Sequence, residues 1–174
     1  MKRNAVIKQL IALTVVFVLA ACSPGNNIIG PRTEDAWKKW EEDQKALRET
    51  WGDTEVYAYI QTILDDLHNV NANVVFKDDF STETESEERT ALKKLYEDMH
   101  YRDEIPLDEF LSRLKNSDLR WVVGGMPDLD SIEDKGDGVY EVRLIYYPNA
   151  DSMMAVTVTV RTEADGSFHL DFES

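Results

Sequence analysis

Apolar side chains recur with a helical period from residue 37 onward. The apolar members of the first stripe are separated by 3, 7 and 4 positions: Trp37, Trp40, Leu47 and Trp51. Gln44 occupies the intervening position of the same stripe. The spacing predicts a first helix that begins near Thr33, a favourable N-cap residue, and ends at Gly52.

A second stripe follows at spacings of 4, 3, 1 and 3: Val56, Ile60, Ile63, Leu64 and Leu67. It predicts a helix that is capped by Asp53 or Thr54 and stops at Asn69. Residues 74–76 then form either a short strand or the hydrophobic anchor of the loop that follows. That loop, residues 77–88, holds six Asp or Glu side chains, and we expect it to be solvated.

Two shorter helices are predicted next. The first begins at Thr84 or Ser86, with Thr84 and Glu87 in the relation of a capping box. Its apolar side is formed by Leu92, Leu95, Tyr96 and Met99. The second begins with Pro106 as its first helical residue and closes at Asn116.

From residue 119 the period changes from 3.6 to 2, which predicts strands. Residues 119–123 predict a strand that ends at the pair Gly124-Gly125, and residues 126–138 predict a long loop. Alternation resumes over residues 139–147 and 156–161. A turn at Asp165-Gly166 then leads into a last strand, whose apolar residues are Phe168, Leu170 and Phe172.

Helices first and an antiparallel meander last predict an α+β fold of two layers, with N-terminal helices packed on a C-terminal antiparallel sheet. We expect one such domain over residues 33–174. The order of elements and the hairpins between Tyr140 and Phe172 resemble those of the cystatin-like and nuclear-transport-factor-like cone folds. The resemblance implies a concave pocket between helices and sheet, and no particular chemistry.

Residues 1–21 have the pattern of a signal peptide, in which a basic stretch precedes an apolar run. The run covers residues 10–21 and is shorter than the roughly 20 residues that a transmembrane helix needs. It ends in Leu19-Ala20-Ala21-Cys22, which resembles the lipobox of bacterial lipoproteins. The resemblance implies cleavage between Ala21 and Cys22 and attachment of diacylglycerol to the Cys22 thiol, so that the lipid is the partner that holds the protein on a membrane.

The residues around Cys22 also predict an address. Residues 22–32 are rich in Pro, Gly, Ser and Asn, which is typical of a flexible tether between the lipidated cysteine and the first helix. Ser23 is not the aspartate that marks retention in the inner membrane among Gram-negative lipoproteins. The resemblance therefore implies the outer membrane, facing the periplasm, with the surface of a Gram-positive cell as the alternative.

The charge balance is strongly acidic. The chain has 34 acidic and 19 basic side chains, a net charge of −15. Without residues 1–21, which hold three basic side chains and no acidic one, 16 basic side chains remain against 34 acidic ones, a net charge of −18. This balance argues against nucleic acid as a partner and against a polybasic membrane patch, and it favours a basic protein partner.

Motifs for catalysis or metal binding are not evident in the sequence. His68, His100 and His169 do not have the spacing of zinc ligands, and the acids from Asp128 to Asp137 do not fit the calcium loop of an EF-hand. The chain contains neither a nucleophile elbow nor a glycine-rich phosphate loop. We therefore predict no metal, no cofactor and no enzymatic activity.

Aromatic and apolar side chains are the candidates for partner binding. The three tryptophans of the first helix either fill the core or form a docking stripe. Two tyrosines flank the stripe of the second helix, and two residues of the strand 139–147 lie on its face opposite Tyr140, Val142, Leu144 and Tyr146. The candidates are Trp37, Trp40, Trp51, Tyr57, Tyr59, Ile145 and Tyr147.

These observations predict a lipid-anchored, periplasm-facing lipoprotein whose acidic domain binds a protein or acts as an accessory factor without catalysis. One alternative is a periplasmic immunity protein that neutralises a basic secreted toxin. The other is a small-molecule-binding or enzymatic domain of the cone-fold kind. That last alternative requires a deep cavity lined by Tyr140, Tyr146, His100 or Trp121.

Overall fold

A layer of helices covers one face of an antiparallel sheet in the computed structural model, which describes residues 34–149 and 152–172. The helices in this part of the chain are α1 (Glu34–Trp51), α2 (Glu55–Asn69), α3 (Ala72–Val75), α4 (Glu87–Asp98) and α5 (Leu107–Asn116), followed by a 3₁₀ turn, Asp118–Trp121. The strands are β1 (Asp128–Gly136), β2 (Val139–Asn149), β3 (Ser152–Thr162) and β4 (Phe168–Asp171). The strand order is β1-β2-β3-β4, a meander. The predicted two-layer α+β fold is confirmed.

The core lies between the helices and the inner face of the sheet. Alternate residues of β2 and β3 point into it, among them Val142, Leu144 and Val158. The helices contribute the apolar stripes that the sequence predicts, such as Ile60 of α2 and Leu92 of α4. No helix of the described residues is long and apolar enough to span a bilayer.

Within residues 34–149 and 152–172, helix boundaries follow the predicted caps with two exceptions, and the predicted N-cap Thr33 lies outside the described residues. Thr54 caps α2 by accepting a hydrogen bond from the Tyr57 amide, and the helix ends at Asn69 as predicted. Ser86 caps α4 by accepting from the Arg89 amide, so the predicted capping box of Thr84 and Glu87 is wrong. Thr84 instead hydrogen-bonds Ser81 within the preceding turn.

Pro106 is the second exception. The sequence predicts it as the first helical residue of α5, but it occupies the N-cap and the helix begins at Leu107. Residues 74–76 form no strand, since 74 and 75 belong to the short helix α3. Val75 is fully buried and anchors the acidic segment, which is the other predicted alternative. Residues 77–86 form turns and bends with mostly exposed side chains.

The predicted strand at residues 119–123 is wrong. The chain there forms a 3₁₀ turn and further turns, with Leu119 and Val122 both buried. These two residues are three positions apart, which is the spacing that places side chains on one side of a 3₁₀ turn. The short apolar run of residues 119–123 fits both the period of a strand and that of a helix, and packing against α5 and β3 selects the 3₁₀ turn.

The predicted loop at residues 126–138 is also wrong, because residues 128–136 form the edge strand β1. Its buried apolar residues, Leu129 and Ile132, are three positions apart and do not show the alternation of a strand. A register shift between Leu129 and Ser131 returns both side chains to the inner face. The end of β1 is exposed and charged, with Glu133, Asp134 and Lys135, as is common where an edge must not pair with another chain.

One hydrogen bond ties α1 to this edge strand. The side-chain amide of Gln44, only 9% exposed, donates to the carbonyl of Leu129 at 2.6 Å. Further along α1, the ring of Trp51 packs edge-on against Tyr140 of β2. Gln44, the polar residue in the apolar stripe, therefore gives a buried backbone carbonyl at the sheet edge its hydrogen-bond donor, while Leu47 and Trp51 of the same stripe bury apolar surface.

A buried carboxyl group joins α2 to α4. The side chain of Asp66 is 3% exposed, and Lys94 Nζ lies 2.6 Å from its Oδ1 and 2.7 Å from Oδ2 of Asp98. The other oxygen, Oδ2 of Asp66, is buried and has no hydrogen-bond partner among the described residues. Burial raises the pKa of Asp66 to about 6, with the Asp98 carboxylate adding to the rise and Lys94 partly offsetting it.

We expect Gln44→Ala to lower the free energy of unfolding by about 1–3 kcal/mol, because the Leu129 carbonyl would lose its donor at a buried site. Urea denaturation gives the value. Lys45→Ala, the exposed next residue, is the matched control and should change stability by less than about 0.5 kcal/mol. Equal stability of the two variants would contradict the role assigned to Gln44.

Asp66→Asn should remove part of the pH dependence of stability. The folded state holds the Asp66 proton up to about pH 6, whereas the unfolded chain loses it near pH 3.8, so ionisation of Asp66 destabilises the wild type as pH rises through this window. The variant cannot ionise, and its stability relative to the wild type should rise by about 1–2 kcal/mol between pH 4.5 and pH 7.5. Denaturant melts of both proteins at each pH measure this difference, with the exposed Asp65→Asn as control. A difference that stays constant over this range would show that Asp66 keeps an ordinary pKa.

Candidate functional site

The sheet has two distinct ends, and each carries a candidate site. At one end Asp128 of β1 pairs with Ile145 of β2, and this is called the Asp128 end. At the other end Gly136 pairs with Val139, and the turns between β1 and β2 and between β3 and β4 both lie there; this is called the hairpin end. Eight residues of strand separate the ends along β1, about 26 Å.

The first half of α1 leads from Gln44 towards the Asp128 end. Gln44 contacts Leu129 next to that end, and Trp51 contacts Tyr140 towards the hairpin end. The sheet also continues in this direction, because β2 extends past Ile145 to Asn149. Every described side chain of this segment is exposed except that of Trp40, which is half-buried. Ten helical residues correspond to about 15 Å of helix.

Two tryptophans stack on this half of α1. The rings of Trp37 and Trp40 have centroids 4.9 Å apart and planes inclined by 20°. Trp37 remains 39% exposed. These residues are named the tryptophan pair. Trp40 is half-buried, and its Nε1 is buried without a hydrogen-bond partner among the described residues.

A groove of about 370 Å³ runs beside the tryptophan pair, between α1, α2 and the start of β1. Trp40 and the predicted candidate Tyr57 both line it, together with Met126, which is 74% exposed. His68 also lines it, with its Nδ1 2.7 Å from the carbonyl oxygen of Gly125. Because a carbonyl only accepts, Nδ1 carries the proton and Nε2 remains the second polar atom of the ring.

Two other predicted candidates belong to the core. Trp51 packs on Tyr140, and Tyr59 packs on Phe168 with centroids 5.4 Å apart. Burial raises the pKa of the Tyr59 phenol far above its usual range. Trp51 therefore packs against the core, the alternative that the sequence left open for the tryptophans, and Tyr59 also packs against the core.

The expectation that Ile145 is exposed is wrong. Its side chain is 1% exposed, and its partners in the sheet are Asp128 on β1 and Ala155 on β3. Tyr147, two residues further along the same face, is half-buried. The outer face of the sheet is therefore not the open apolar patch that a single covered face would produce.

The second site, which the sequence analysis missed, is a cleft of about 650 Å³ at the hairpin end. It is named the acidic cleft, and its carboxylates come from the end of α4, the segment that follows it and the turn between β3 and β4: Glu97, Asp103, Glu104, Glu163 and Asp165. Arg102, His100 and His169 complete its charged and titratable lining. The five carboxylates outnumber the single arginine, so the cleft has a negative potential.

The segment after α4 is fixed in place by a helix-terminating motif. The amide of Tyr101 donates to the Tyr96 carbonyl and that of His100 to the Glu97 carbonyl, the two hydrogen bonds of a Schellman motif. His100 occupies the left-handed position of this motif with φ 65°, where glycine is usual. The hydroxyl of Tyr96 donates to the Ile105 carbonyl at 2.6 Å and holds the other end of the segment.

His169 lies at the inner wall of the cleft. The sequence places it on the polar face of the last strand, but it is 7% exposed, because the ring of Tyr101 covers it at a centroid distance of 4.8 Å. Its Nδ1 is 3.5 Å from a carboxylate oxygen of Glu104. Within the part of the chain that the structure describes, no three His, Cys, Asp or Glu side chains are arranged to hold a metal ion.

The four residues named for a ligand cavity do not meet. Tyr140 packs on Trp51 and Phe168, and the Tyr146 ring packs so closely on Gly125 that a Cβ there would lie 2.5 Å from its Cε2. Trp121 is exposed, with the guanidinium of Arg120 4.2 Å from its ring centroid. His100 lies in the acidic cleft.

We expect His100→Gly to be more stable than His100→Ala by about 1 kcal/mol, because only glycine adopts the left-handed conformation without a Cβ clash. Thermal or urea unfolding of the two variants gives the difference. Both lose the imidazole and its edge contact with Tyr59, so the comparison isolates the backbone conformation. Equal stabilities would mean that the segment relaxes away from its Schellman geometry.

Comparisons with models of protein families, with curated proteins and with solved structures gave no match to this chain. The two sites are therefore interpreted from their own residues.

Proposed function

We propose that this protein is a lipid-anchored lipoprotein of the cell envelope, held by Cys22 on the outer membrane and facing the periplasm, whose acidic domain binds a basic protein partner without catalysis. The observation that carries the proposal is the position of the acidic cleft. It lies at the hairpin end, whereas the first half of α1, where the chain enters the domain, leads towards the Asp128 end.

The position of the cleft suits an anchored binder. Eleven residues lie between Cys22 and Glu34, so twelve residue-to-residue steps keep the N-terminal end of α1 within about 43 Å of the anchor. The cleft lies a further sheet length away, on the side from which a soluble partner would approach. An anchor at Cys22 therefore leaves the cleft accessible when the N-terminal end of α1 is nearest the membrane.

Charge supports a basic partner. The chain from Cys22 onward carries a net charge of −18, and a cleft lined by carboxylates concentrates that field. Such a field raises the association rate with a cationic surface and loses strength as salt is added. Because the acidic cleft is concave, a single protruding segment of the partner fits into it.

The anchor has its own test. Cells that express the full chain and are fed radiolabelled palmitate should yield a labelled protein in the outer-membrane fraction. Cys22→Ala should abolish the label and release the protein. Label that persists in the variant, or a wild type without label, would contradict the lipoprotein assignment.

The cleft is tested by a crosslinked pull-down from detergent-solubilised envelope at low and high salt. We expect a basic protein to be recovered at low salt and lost at high salt. Asp103→Asn/Glu104→Gln/Glu163→Gln should lower its recovery about tenfold, because the charges that attract it are removed.

The matched control changes the same number of charges elsewhere. Asp78→Asn/Asp79→Asn/Glu83→Gln lies on the exposed segment after α3 and should leave recovery within about twofold. If both triple variants lose the partner equally, net charge rather than the cleft governs binding. If neither does, the partner binds at another surface.

The acidic cleft also favours a second candidate, a periplasmic immunity protein against a basic secreted toxin. In that case the recovered partner would be a toxin, and co-expression of this chain would protect cells from it while the cleft variant would not. A small-molecule-binding or enzymatic role on a cone-like fold would instead give a cavity ligand and no protein partner. The pull-down distinguishes these outcomes.

A further inference from the structure

We propose that the groove between α1, α2 and the start of β1 binds a small zwitterionic ligand, an amino acid or a short peptide. In this assignment Arg48 pairs with the carboxylate of the ligand, and Asp65 pairs with its ammonium group. None of the described residues lines both the groove and the acidic cleft, so this second site goes beyond the proposed function and does not depend on it.

Two helices supply the polar lining of the groove at regular spacing. On α1, Gln44 and Arg48 are four residues apart. On α2, Gln61, Asp65 and His68 follow one another at spacings of four and three. Residues three or four positions apart share one face of a helix. Each helix therefore presents a row of polar side chains to the groove.

The fold uses only part of this lining. The amide of Gln44 and the Nδ1 of His68 each donate to a backbone carbonyl group. Within the described part of the chain, the side chains of Arg48, Gln61 and Asp65 have neither a hydrogen-bond partner nor an ion-pair partner. A guanidinium group, an amide and a carboxylate thus border the groove without holding the fold together.

The charged groups of a zwitterion find different partners on the two helices. Because Nδ1 of His68 carries the proton, Nε2 of the neutral ring is an acceptor, and the Asp65 carboxylate on the same face of α2 is another. An ammonium group has only donors and therefore suits this pair. Arg48 on α1 offers a planar set of N–H donors that matches the two oxygens of a carboxylate.

The charges of the lining disfavour ligands of a single sign. Its acidic side chains are Asp65 and Asp128, and Arg48 carries its positive charge. A purely anionic ligand would meet the two carboxylates and the net charge of −18 that the chain carries from Cys22 onward. A purely cationic ligand would face the guanidinium group. A zwitterion pairs with both signs and has no net charge for the field of the chain to repel.

The size of the groove agrees with a small ligand. Its volume of about 370 Å³ lies at the lower end of the range for small-molecule sites. The lining also contains the buried side chains of Leu64 and Leu129 and the half-buried ring of Tyr57. A ligand with an apolar part between its charges therefore has contacts for both.

The test is an NMR titration of the ¹⁵N-labelled protein, purified from cells in mild detergent, with trialanine. We expect the amide signals of Gln61, Asp65 and His68 to shift with a Kd on the order of 1 mM. The signals of Glu163 and Asp165 in the acidic cleft should stay in place. A parallel titration with alanine distinguishes a free amino acid from a peptide as the preferred ligand.

Ligands with one blocked end identify the partner of each charge. N-acetyl-trialanine lacks the ammonium group and trialanine amide lacks the carboxylate, so each should bind the wild type about fivefold more weakly than trialanine. Arg48→Gln should weaken trialanine about fivefold but leave trialanine amide unchanged, because the amide has no carboxylate to lose. Asp65→Asn should show the same relation with N-acetyl-trialanine.

The matched controls remove charges of the same sign outside the groove lining. Lys45→Gln lies on α1 and Asp53→Asn lies just before α2, and both positions are exposed. Each should leave the Kd for trialanine within about twofold of the wild type. A loss of affinity in these controls equal to that in Arg48→Gln and Asp65→Asn would overturn the assignment to the groove.

Three further results would contradict the proposal. The groove signals could fail to shift with either ligand up to about 20 mM, the blocked ligands could bind as tightly as trialanine, or the shifts could be confined to the acidic cleft. The cleft variant Asp103→Asn/Glu104→Gln/Glu163→Gln keeps the groove lining and should bind trialanine as the wild type does. Failure of the cleft to bind a protein therefore leaves this test valid.

Discussion

The structure depends on the need to cover one apolar face of a four-stranded sheet. Val142, Leu144 and Val158 point from this face into the core and would be exposed without a second layer. Helices α2, α4 and α5 meet this need, and the second half of α1 completes the cover at the edge strand. The same helical layer borders both candidate sites. The groove lies between α1, α2 and the start of β1, and the acidic cleft lies where the end of α4 meets the turn between β3 and β4.

Much of the helical layer could be predicted from the sequence, because stripes at 3.6-residue spacing and cap residues such as Thr54 are local features. The sheet was predicted where alternation is strict, in β2 and β3. Edge strand β1 was missed, since its bulge places Leu129 and Ile132 on one face and hides the alternation. Residues 119–123 were misassigned because a short apolar run fits either period, and only packing decides between them.

The candidate sites were predictable to different degrees. Trp37 and Trp40 were identifiable as candidates from residue type and spacing, although exposure needed the position of α1 against β1. The acidic cleft could not be found, since its carboxylates lie in segments more than 50 residues apart and belong to a chain with 34 acids. The left-handed conformation of His100 could not be predicted from the sequence, because glycine usually occupies that position of a Schellman motif.

The charged end of β1 has a consequence for crowding in two dimensions. Lipid-anchored proteins share one surface, where lateral diffusion brings equivalent edges of neighbouring copies together far more often than in solution. An open strand edge would then act as a template for sheet extension from copy to copy. Glu133, Asp134 and the bulge before Ser131 oppose such pairing, so the membrane we propose as its site would hold separate molecules rather than a continuous sheet.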